Sequence, residues 1–356
     1  MGYVMTDPIK DNDHSSMARE IYNFVDNLEY ALQRKTTIDV DIERIMICGM
    51  GGSAIGGDVI RDCVVREAKY PISVQRFPEL PKWVDKKTFI VISSYSGNTR
   101  ETLSMYRQAM ERGCPILIMA SGGELERLGI ENGQEIIKMA GGLQPRSTLG
   151  LNIGYLAGVM DALCGTRCRE DMIDLLPSLR KVREKLNLEM NDAKKIAIAI
   201  HGRVPIIYST SGIYASAMRW KSQINENSKM MTFSGSVPEF NHNEIAGWSE
   251  GELRVKCVPV FLYESSAPKM LKKMADASIS SMKKYGQDVK VVRIRGKTPV
   301  ERTLRSIMIG DYVSLYLAEL KGVDPMDVQP INEFKYRLSL IMPGRIVGKK
   351  KKNKSS

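Results

Sequence analysis

A short apolar stretch that leads into a Gly/Ser-rich turn and then into a helical pattern occurs in both halves of the chain. In the first half, apolar residues 45–48 precede the turn at 49–53, and in the second half residues 204–208 precede the turn at 209–212. Strands that alternate with helices in this way are typical of parallel sheets covered by helices. The sequence therefore predicts an α/β fold in which one such unit has been duplicated.

Changes of periodicity along the chain give the expected domains. Apolar residues at three- and four-residue steps predict a leading helical stretch that extends to about residue 43. Residues 1–165 are expected to form the first domain and residues 196–347 the second, because strand-like runs return in both. The charged stretch 166–195 is expected to be a helical linker, and 348–356 a disordered lysine-rich tail.

The net charge of the chain favours small anionic partners over nucleic acids. The net charge of +11 falls to 11 − 5 = +6 when the five lysines of the tail are left out. Basic residues are nowhere interleaved with aromatic ones in a motif that would support a nucleic-acid surface, and the remaining positive charge suits the attraction of anionic metabolites.

No run of roughly 18 apolar residues predicts a membrane span. A loose myristoylation pattern at Gly2 and Thr6 is the one hint of a membrane anchor.

Cysteine and histidine usage predicts a cytoplasmic protein that works without a metal or another cofactor. The six cysteines are scattered through a chain whose start does not resemble a signal peptide, which is typical of reduced thiols in the cytosol. The three histidines, His14, His201 and His242, are too far apart in the sequence to indicate a zinc cluster.

Three turns combine glycine with short hydroxyl side chains where a strand leads into a helix: residues 49–53, 94–99 and 209–212. Backbone N–H groups, hydroxyl donors and the positive end of a helix favour an anion there, although each turn alone is equally compatible with an ordinary Ser/Gly turn. The first turn also resembles a dinucleotide fingerprint, but Arg76 and Phe77 stand where an acidic residue is expected. A P-loop is excluded because no Gly-Lys-Ser/Thr follows.

Six short motifs follow one another along the chain. They are Gly-Met-Gly-Gly-Ser at 49–53, Ser-Tyr-Ser-Gly-Asn-Thr at 94–99, Pro-Arg-Ser-Thr-Leu-Gly at 145–150, Asn-Glu-Asn-Ser-Lys at 225–229, Pro-Glu-Phe-Asn-His-Asn-Glu at 238–244, and Asp-Pro at 324–325 with Phe-Lys at 334–335. Together and in this order, they resemble the sugar isomerase (SIS) domain superfamily and, within it, the bifunctional phosphoglucose/phosphomannose isomerase family. The resemblance implies two tandem SIS-type domains, each with a mostly parallel sheet flanked by helices in a flavodoxin-like three-layer sandwich.

The same resemblance implies the residues of the site. The 6-phosphate of a sugar would be bound by residues of the first two turns, namely Gly52, Ser53, Ser94, Ser96 and Thr99. Glu226 would be the base that moves a proton between C1 and C2, a step that requires a positioned acceptor because a C–H beside a carbonyl is only weakly acidic. Arg146 would stabilise the negative charge of the enediolate intermediate.

Two further side chains are implied to act on the sugar ring. His242 would assist ring opening and would reach the site from the neighbouring subunit of a homodimer, a task that suits imidazole because it exchanges protons near neutral pH. Lys335 would contact the ring oxygen or the hydroxyl groups. The region of Val328 departs from the family because it lacks the threonine that some members use to accept both C2 epimers, which weakens the case for mannose 6-phosphate.

The resulting hypothesis is a metal-independent aldose–ketose isomerase that interconverts glucose 6-phosphate and mannose 6-phosphate with fructose 6-phosphate through a cis-enediolate. Two alternatives remain open from the sequence. One is a non-catalytic SIS regulator that binds a sugar phosphate, because a fold does not fix a function. The other is an aminosugar-phosphate isomerase or deaminase of the same superfamily.

Overall fold

Two parallel sheets organise residues 17–341, the part of the chain that the computed structural model describes. The chain divides into two compact units, one that ends at Pro325 and contains both sheets, and a second that begins at Met326. The myristoylation pattern at Gly2 and Thr6 and the lysine-rich tail lie outside the described residues. The domain boundaries given above stay a prediction.

The first sheet brings the carboxyl ends of its central strands together. It contains β1 (Arg44–Cys48), β2 (Ile72–Gln75), β3 (Thr88–Ser93), β4 (Ile116–Ala120) and β5 (Glu135–Lys138). All neighbouring strands are parallel, in the order β2-β1-β3-β4-β5. β3 and β4 are completely buried, as expected of central strands covered on both faces. Cys48 pairs with Ile92, so β1 and β3 end side by side.

Helices alternate with these strands as predicted, but the leading helical stretch is shorter than expected. The helices of this half are α1 (Met17–Tyr22), α2 (Phe24–Leu32), α3 (Gly51–Val64), α4 (Arg100–Glu111), α5 (Gly123–Glu131), α6 (Leu149–Cys164), α7 (Cys168–Leu186) and α8 (Asp192–Ile200). The prediction of helix up to about residue 43 is wrong beyond Leu32. Residues 36–40 include four β-branched side chains, which lose χ1 freedom in a helix.

The second sheet repeats the parallel arrangement with four strands. They are β6 (Val204–Thr210), β7 (Phe233–Val237), β8 (Cys257–Glu264) and β9 (Lys290–Ile294), in the order β7-β6-β8-β9. The helices of this half are α9 (Tyr214–Ser228), α10 (Glu244–Gly247), α11 (Lys269–Lys284) and α12 (Pro299–Lys321). The duplicated α/β plan is thus confirmed, although the sequence did not predict the edge strands β5 and β7.

Packing between α9 and α12 fixes the helix whose last turn carries Glu226. A side chain at Gly310 of α12 would come within 2.3 Å of the Trp220 indole, so only glycine allows this approach. The Trp220 Nε1–H donates to the Ser306 carbonyl at 2.8 Å. Arg219 and Asp311 form a bidentate ion pair with both N···O distances at 2.9 Å, and both side chains are buried. A buried pair of this kind holds two helices in one register because separation would leave a buried charge unpaired.

The second compact unit contains α13 (Gln329–Ile341), which carries Lys335. Lys335 and its neighbours Phe334 and Tyr336 are exposed. Across residues 17–341, every helix is too short or too polar to cross a lipid bilayer.

Candidate active site

Two hydroxyl-lined turns meet at the carboxyl ends of β1 and β3. A Cβ built on Gly49 would lie 3.1 Å from both the Ser93 carbonyl oxygen and the Ser53 Cβ, so the turn after β1 touches the end of β3. The Ser94 hydroxyl donates to Thr99 Oγ1 at 3.0 Å across the second turn. The predicted phosphate residues of the two turns therefore lie at one edge of the first sheet.

The helices that follow these turns are oriented with their N-termini toward this edge. Neither α3 nor α4 has a side-chain cap at its first turn within the described chain. Ser96 Oγ accepts the Asn98 N–H at 3.3 Å, which folds the second turn tightly. Gly97 has a φ of +66°, and a Cβ there would lie 1.8 Å from the Gly122 carbonyl oxygen, so the turn requires glycine. Helix N-termini with hydroxyl groups around them suit a phosphate group.

Gly52 allows the loop that carries Arg146 to approach the first turn. A Cβ on Gly52 would lie 2.8 Å from the Pro145 carbonyl oxygen and 3.4 Å from the Arg146 Cα. Arg146 lies in the short 3₁₀ turn Pro145–Thr148, and its side chain is only 3% exposed. The contact brings the backbone of Arg146 next to the first predicted phosphate turn.

Two nitrogens of the Arg146 guanidinium form short hydrogen bonds, and the third has only long contacts among the described residues. Its Nε donates to Asn227 Oδ1 at 2.8 Å, and its Nη2 donates to the Pro325 carbonyl at 2.6 Å. Among the described residues, Nη1 has only long contacts, 3.4 Å to Gln144 Oε1 and 3.6 Å to Glu226 Oε2. The nitrogen that faces Glu226 is therefore the one best able to bind an additional oxygen.

Burial lowers the pKa of the Arg146 guanidinium, but the group stays positively charged. Desolvation lowers the pKa of Arg146, while the nearby carboxylates of Glu226 and Glu20 act in the opposite direction. An arginine keeps its proton under physiological conditions even when it is desolvated. Arg146 thus presents a fixed positive charge from a buried position.

Glu226 lies in the last turn of α9 with its carboxylate directed at Arg146. Its side chain is 32% exposed, so a bound ligand can reach it from the solvent side. Lys229, which follows α9 in a left-handed conformation with φ of 51°, donates from Nζ to the Glu226 carbonyl at 2.7 Å and to the Asp324 carbonyl at 2.9 Å. The backbone below the carboxylate is therefore fixed while the carboxylate itself stays accessible.

His242 lies at the end of a short turn, Glu239–His242, that follows β7, and it is exposed. The residues around it are anchored. Asn243 donates to Glu239 Oε1 at 2.9 Å, and the buried Tyr208 hydroxyl donates to Glu244 Oε2 at 3.0 Å. Within residues 17–341, no hydrogen bond or ion pair joins the imidazole to Glu226 or Arg146. The loop therefore displays His242 on the surface of the chain.

The structure brings together several of the predicted site residues in the first compact unit. Arg146 links Glu226 to the hydroxyl-lined turns around Ser53 and Ser94. Lys335 belongs to the second compact unit, where it lies on α13. The roles of all these residues remain predictions.

Comparison with known proteins relates this geometry to a family. Residues 189–338 match the family described as bacterial phospho-glucose isomerase C-terminal SIS domain. A bifunctional phosphoglucose/phosphomannose isomerase of Caldicellulosiruptor bescii is 34% identical over 91% of this chain and 99% of its own length. The corresponding protein of Aquifex aeolicus is 34% identical over 83% of this chain and 90% of its own length. The chain belongs to the bifunctional phosphoglucose/phosphomannose isomerase family.

Solved structures confirm the fold of this family member. A hypothetical protein from Thermus thermophilus superposes with a TM-score of 0.75 and covers 94% of this chain and 92% of its own, at 16% sequence identity. A likeness at this identity concerns the fold alone. The predicted fold class, parallel α/β sheets flanked by helices as in SIS proteins, is therefore confirmed.

The third predicted anion turn, at 209–212, is occupied by carboxylates in this isomerase-family chain. Thr210 Oγ1 donates to the buried Glu264, whose Oε1 lies 3.6 Å from the position of a Cβ on Gly212. The backbone N–H of Ala215, in the first turn of α9, donates to Asp62 Oδ2 at 2.9 Å. Burial raises the pKa of both Asp62 and Glu264. Two acidic side chains thus take one hydroxyl donor of this turn and one N–H of the following helix, which favours the interpretation as an ordinary Ser/Gly turn.

Sequence reasoning missed side chains that hold the site in place. Glu20 of α1 is buried and accepts the Gln144 N–H at 3.4 Å, and the Tyr95 hydroxyl accepts the Leu143 N–H at 2.9 Å. Both contacts fix the loop that precedes Arg146. The sequence does not predict these contacts, because a glutamate in an amphipathic helix and a tyrosine in a turn are usually found without such a role.

Proposed function

We propose that the protein is an aldose–ketose isomerase that interconverts glucose 6-phosphate and mannose 6-phosphate with fructose 6-phosphate. The observation that carries the proposal is the pair formed by the Glu226 carboxylate and the Arg146 guanidinium, 3.6 Å apart, beside two hydroxyl-lined turns. The pair supplies a proton acceptor and a positive charge, and the turns supply donors for a phosphate.

The reaction uses one base on two adjacent carbons. Glu226 takes the proton from C2 of the open-chain aldose, the C2–H electron pair forms the C1–C2 double bond, and the carbonyl oxygen at C1 becomes an enediolate oxygen. Arg146 Nη1, which has only long contacts to the described residues, donates to that oxygen and stabilises its charge. Transfer of a proton to C1, with movement of the O2–H proton to O1, gives the ketose.

The same intermediate accounts for both aldoses. Glucose 6-phosphate and mannose 6-phosphate differ only at C2, and loss of the C2 proton makes this carbon planar in each. Return of the proton to either face of C2 therefore yields either sugar from one enediolate. The loss of a hydroxyl near Val328 concerns how the two faces are discriminated and leaves the chemistry of the step unchanged.

The remaining predicted residues complete the proposal. Gly52, Ser53, Ser94, Ser96 and Thr99 bind the 6-phosphate. His242 assists ring opening in the site of a second subunit, because its anchored loop presents the imidazole outward. Lys335 contacts the ring oxygen or hydroxyl groups. The protein is then a cytoplasmic homodimer that acts in carbohydrate metabolism, in glycolysis or gluconeogenesis.

A direct assay of the purified protein tests the proposal. Fructose 6-phosphate should give glucose 6-phosphate at an unchanged rate after dialysis against EDTA, because the cation at the developing charge is Arg146. The same reaction in D₂O should place deuterium at C1 of recovered fructose 6-phosphate. A pure sugar-phosphate binder would introduce none. Loss of activity with EDTA and its return with a divalent cation would contradict the metal-independent route.

Glucosamine 6-phosphate separates the proposal from the aminosugar alternative. If glucosamine 6-phosphate is converted while glucose 6-phosphate and fructose 6-phosphate are not, the protein is an aminosugar-phosphate isomerase or deaminase.

Replacing Ser94 by Ala should weaken substrate binding more than it slows the reaction. The phosphate is bound equally in the ground state and in the transition state, so KM rises while kcat changes little. Loss of one hydrogen bond to a charged group corresponds to a rise of about tenfold to a hundredfold in KM. Steady-state kinetics with fructose 6-phosphate measure both constants. Ser104→Ala in α4 is the control, and an equal fall in kcat for Ser94→Ala would argue against a pure phosphate role.

A further inference from the structure

We infer that Asn227 is a positioning residue for the isomerisation, because it sets the orientation of the Arg146 guanidinium and leaves its charge available to the intermediate. The inference rests on the proposed function. Asn227 is the neighbour of Glu226 on α9, and it is completely buried. Its carboxamide lies between the first-half loop that carries Arg146 and the helix α12.

The direction of each hydrogen bond around Asn227 is determined by its neighbours. The Ser314 hydroxyl lies 2.7 Å from the Asp311 carbonyl oxygen, to which it must donate its single proton. Ser314 Oγ can therefore only accept from Asn227, whose Nδ2 lies 2.9 Å away. With Nδ2 directed at Ser314, the acceptor oxygen Oδ1 faces Arg146 Nε at 2.8 Å. A rotated amide would place two donors against each other.

Packing keeps this arrangement rigid. Asn227, Ser228 and Ser314 are all completely buried, and the Ser228 hydroxyl donates to the Ser314 carbonyl at 2.6 Å. Two of the bonds between α9 and α12 thus converge on one residue of α12. The acceptor for Arg146 cannot move unless the contact between these helices changes.

The anchored amide decides where the guanidinium points. A guanidinium is planar, so an acceptor at Nε and a second acceptor at Nη2, the Pro325 carbonyl, define both its plane and its rotation. Nη1 is then directed toward Glu226. Because the acceptor at Nε is a neutral amide and not a carboxylate, this hydrogen bond does not reduce the charge that Arg146 offers to the enediolate oxygen.

The test is the nearly isosteric substitution Asn227→Asp, which keeps an acceptor for Arg146 but adds a negative charge. We expect kcat to fall by about tenfold to a hundredfold, as for removal of charge stabilisation at an oxyanion, while KM changes less than about threefold. The acidic limb of the pH profile of kcat/KM should also move to higher pH, since a buried carboxylate at position 227, on the other side of Arg146 from Glu226, disfavours the ionised base.

Asn225→Asp is the matched control, because Asn225 flanks Glu226 on the other side and, within the described chain, its side chain bonds only the backbone of Thr232. It is exposed, so its added charge is screened by solvent, and its kcat should stay within about twofold of the wild-type value. Equal kinetics and pH profiles for the two variants would overturn the inference. Wild-type kinetics for Asn227→Asp would overturn it as well.

A second variant decides the case in which Asn227→Asp does not fold. Ser314→Ala removes the acceptor of Asn227 Nδ2 without touching Arg146 or Glu226, and it should lower kcat about threefold to tenfold because the amide loses one of the two hydrogen bonds that hold it. Unchanged kcat in Ser314→Ala would overturn the inference. An inactive wild-type protein would defeat the proposed isomerase function itself, whereas an active wild type with insensitive variants defeats only the role of Asn227.

Discussion

Replacing Glu226 by Gln should lower the rate of fructose 6-phosphate formation by about 10²- to 10⁴-fold, the contribution typical of a general base. The amide has nearly the same shape as the carboxylate but cannot accept the proton from C2. Within residues 17–341 the Glu226 carboxylate has one polar contact, the 3.6 Å approach to Arg146, so the fold does not depend on it. A coupled assay with glucose 6-phosphate measures the loss.

Binding should survive this substitution. Calorimetric titration of the Glu226→Gln protein with fructose 6-phosphate should give a Kd within a few-fold of the wild-type value, because the phosphate turns are unchanged. Deuterium from solvent should no longer enter C1. Glu111→Gln, an exposed change at the end of α4, serves as the control. Near-normal turnover of Glu226→Gln would remove this residue from the chemistry.

Replacing Arg146 by Lys should lower kcat by about 10²- to 10³-fold, as for loss of a preorganised donor at an oxyanion. A lysine keeps the charge but has one nitrogen, which cannot contact Asn227 and the Pro325 carbonyl and still face Glu226. The fall should appear in kcat more than in KM, because the interaction forms with the intermediate. Steady-state kinetics with fructose 6-phosphate measure the two constants separately.

Arg112→Lys is the matched control for this substitution. Arg112 also binds backbone carbonyls, those of Pro81 at 2.6 Å and Leu80 at 3.1 Å, but it follows the end of α4 and its bonds go to the segment before β3. The substitution should reduce thermal stability and leave kcat within about twofold of the wild-type value. If Arg146→Lys turned over at the wild-type rate, another group would have to stabilise the enediolate.

The sequence predicts the strand–turn–helix units well because their signals are local. An apolar run, a Gly/Ser turn and a helical period lie next to one another at 45–64 and again at 88–111, and both units are present in the structure. The edge strands β5 and β7 were missed because they are short and only partly buried, so they lack a continuous apolar run.

The chemistry of the site depends on contacts between distant parts of the chain. Glu226 and Arg146 are far apart in the sequence, and they meet because Gly52 admits the loop of Arg146 while α12 fixes α9. The family resemblance names both residues but not their separation. The orientation of Asn227 follows from the proton of one serine hydroxyl, which can be assigned only with coordinates.

The two Gly/Ser turns at 49–53 and 209–212 differ in their neighbours, because carboxylates contact only the later one among the described residues. Asp62 comes from the first half and closes the start of α9 in the second, so the later copy of the turn serves as a joint between the two halves. Among the described residues, the earlier copy has no carboxylate in the same place, as the proposed phosphate role requires. The proposed phosphate site thus uses the earlier copy alone, while the later copy holds the two halves together.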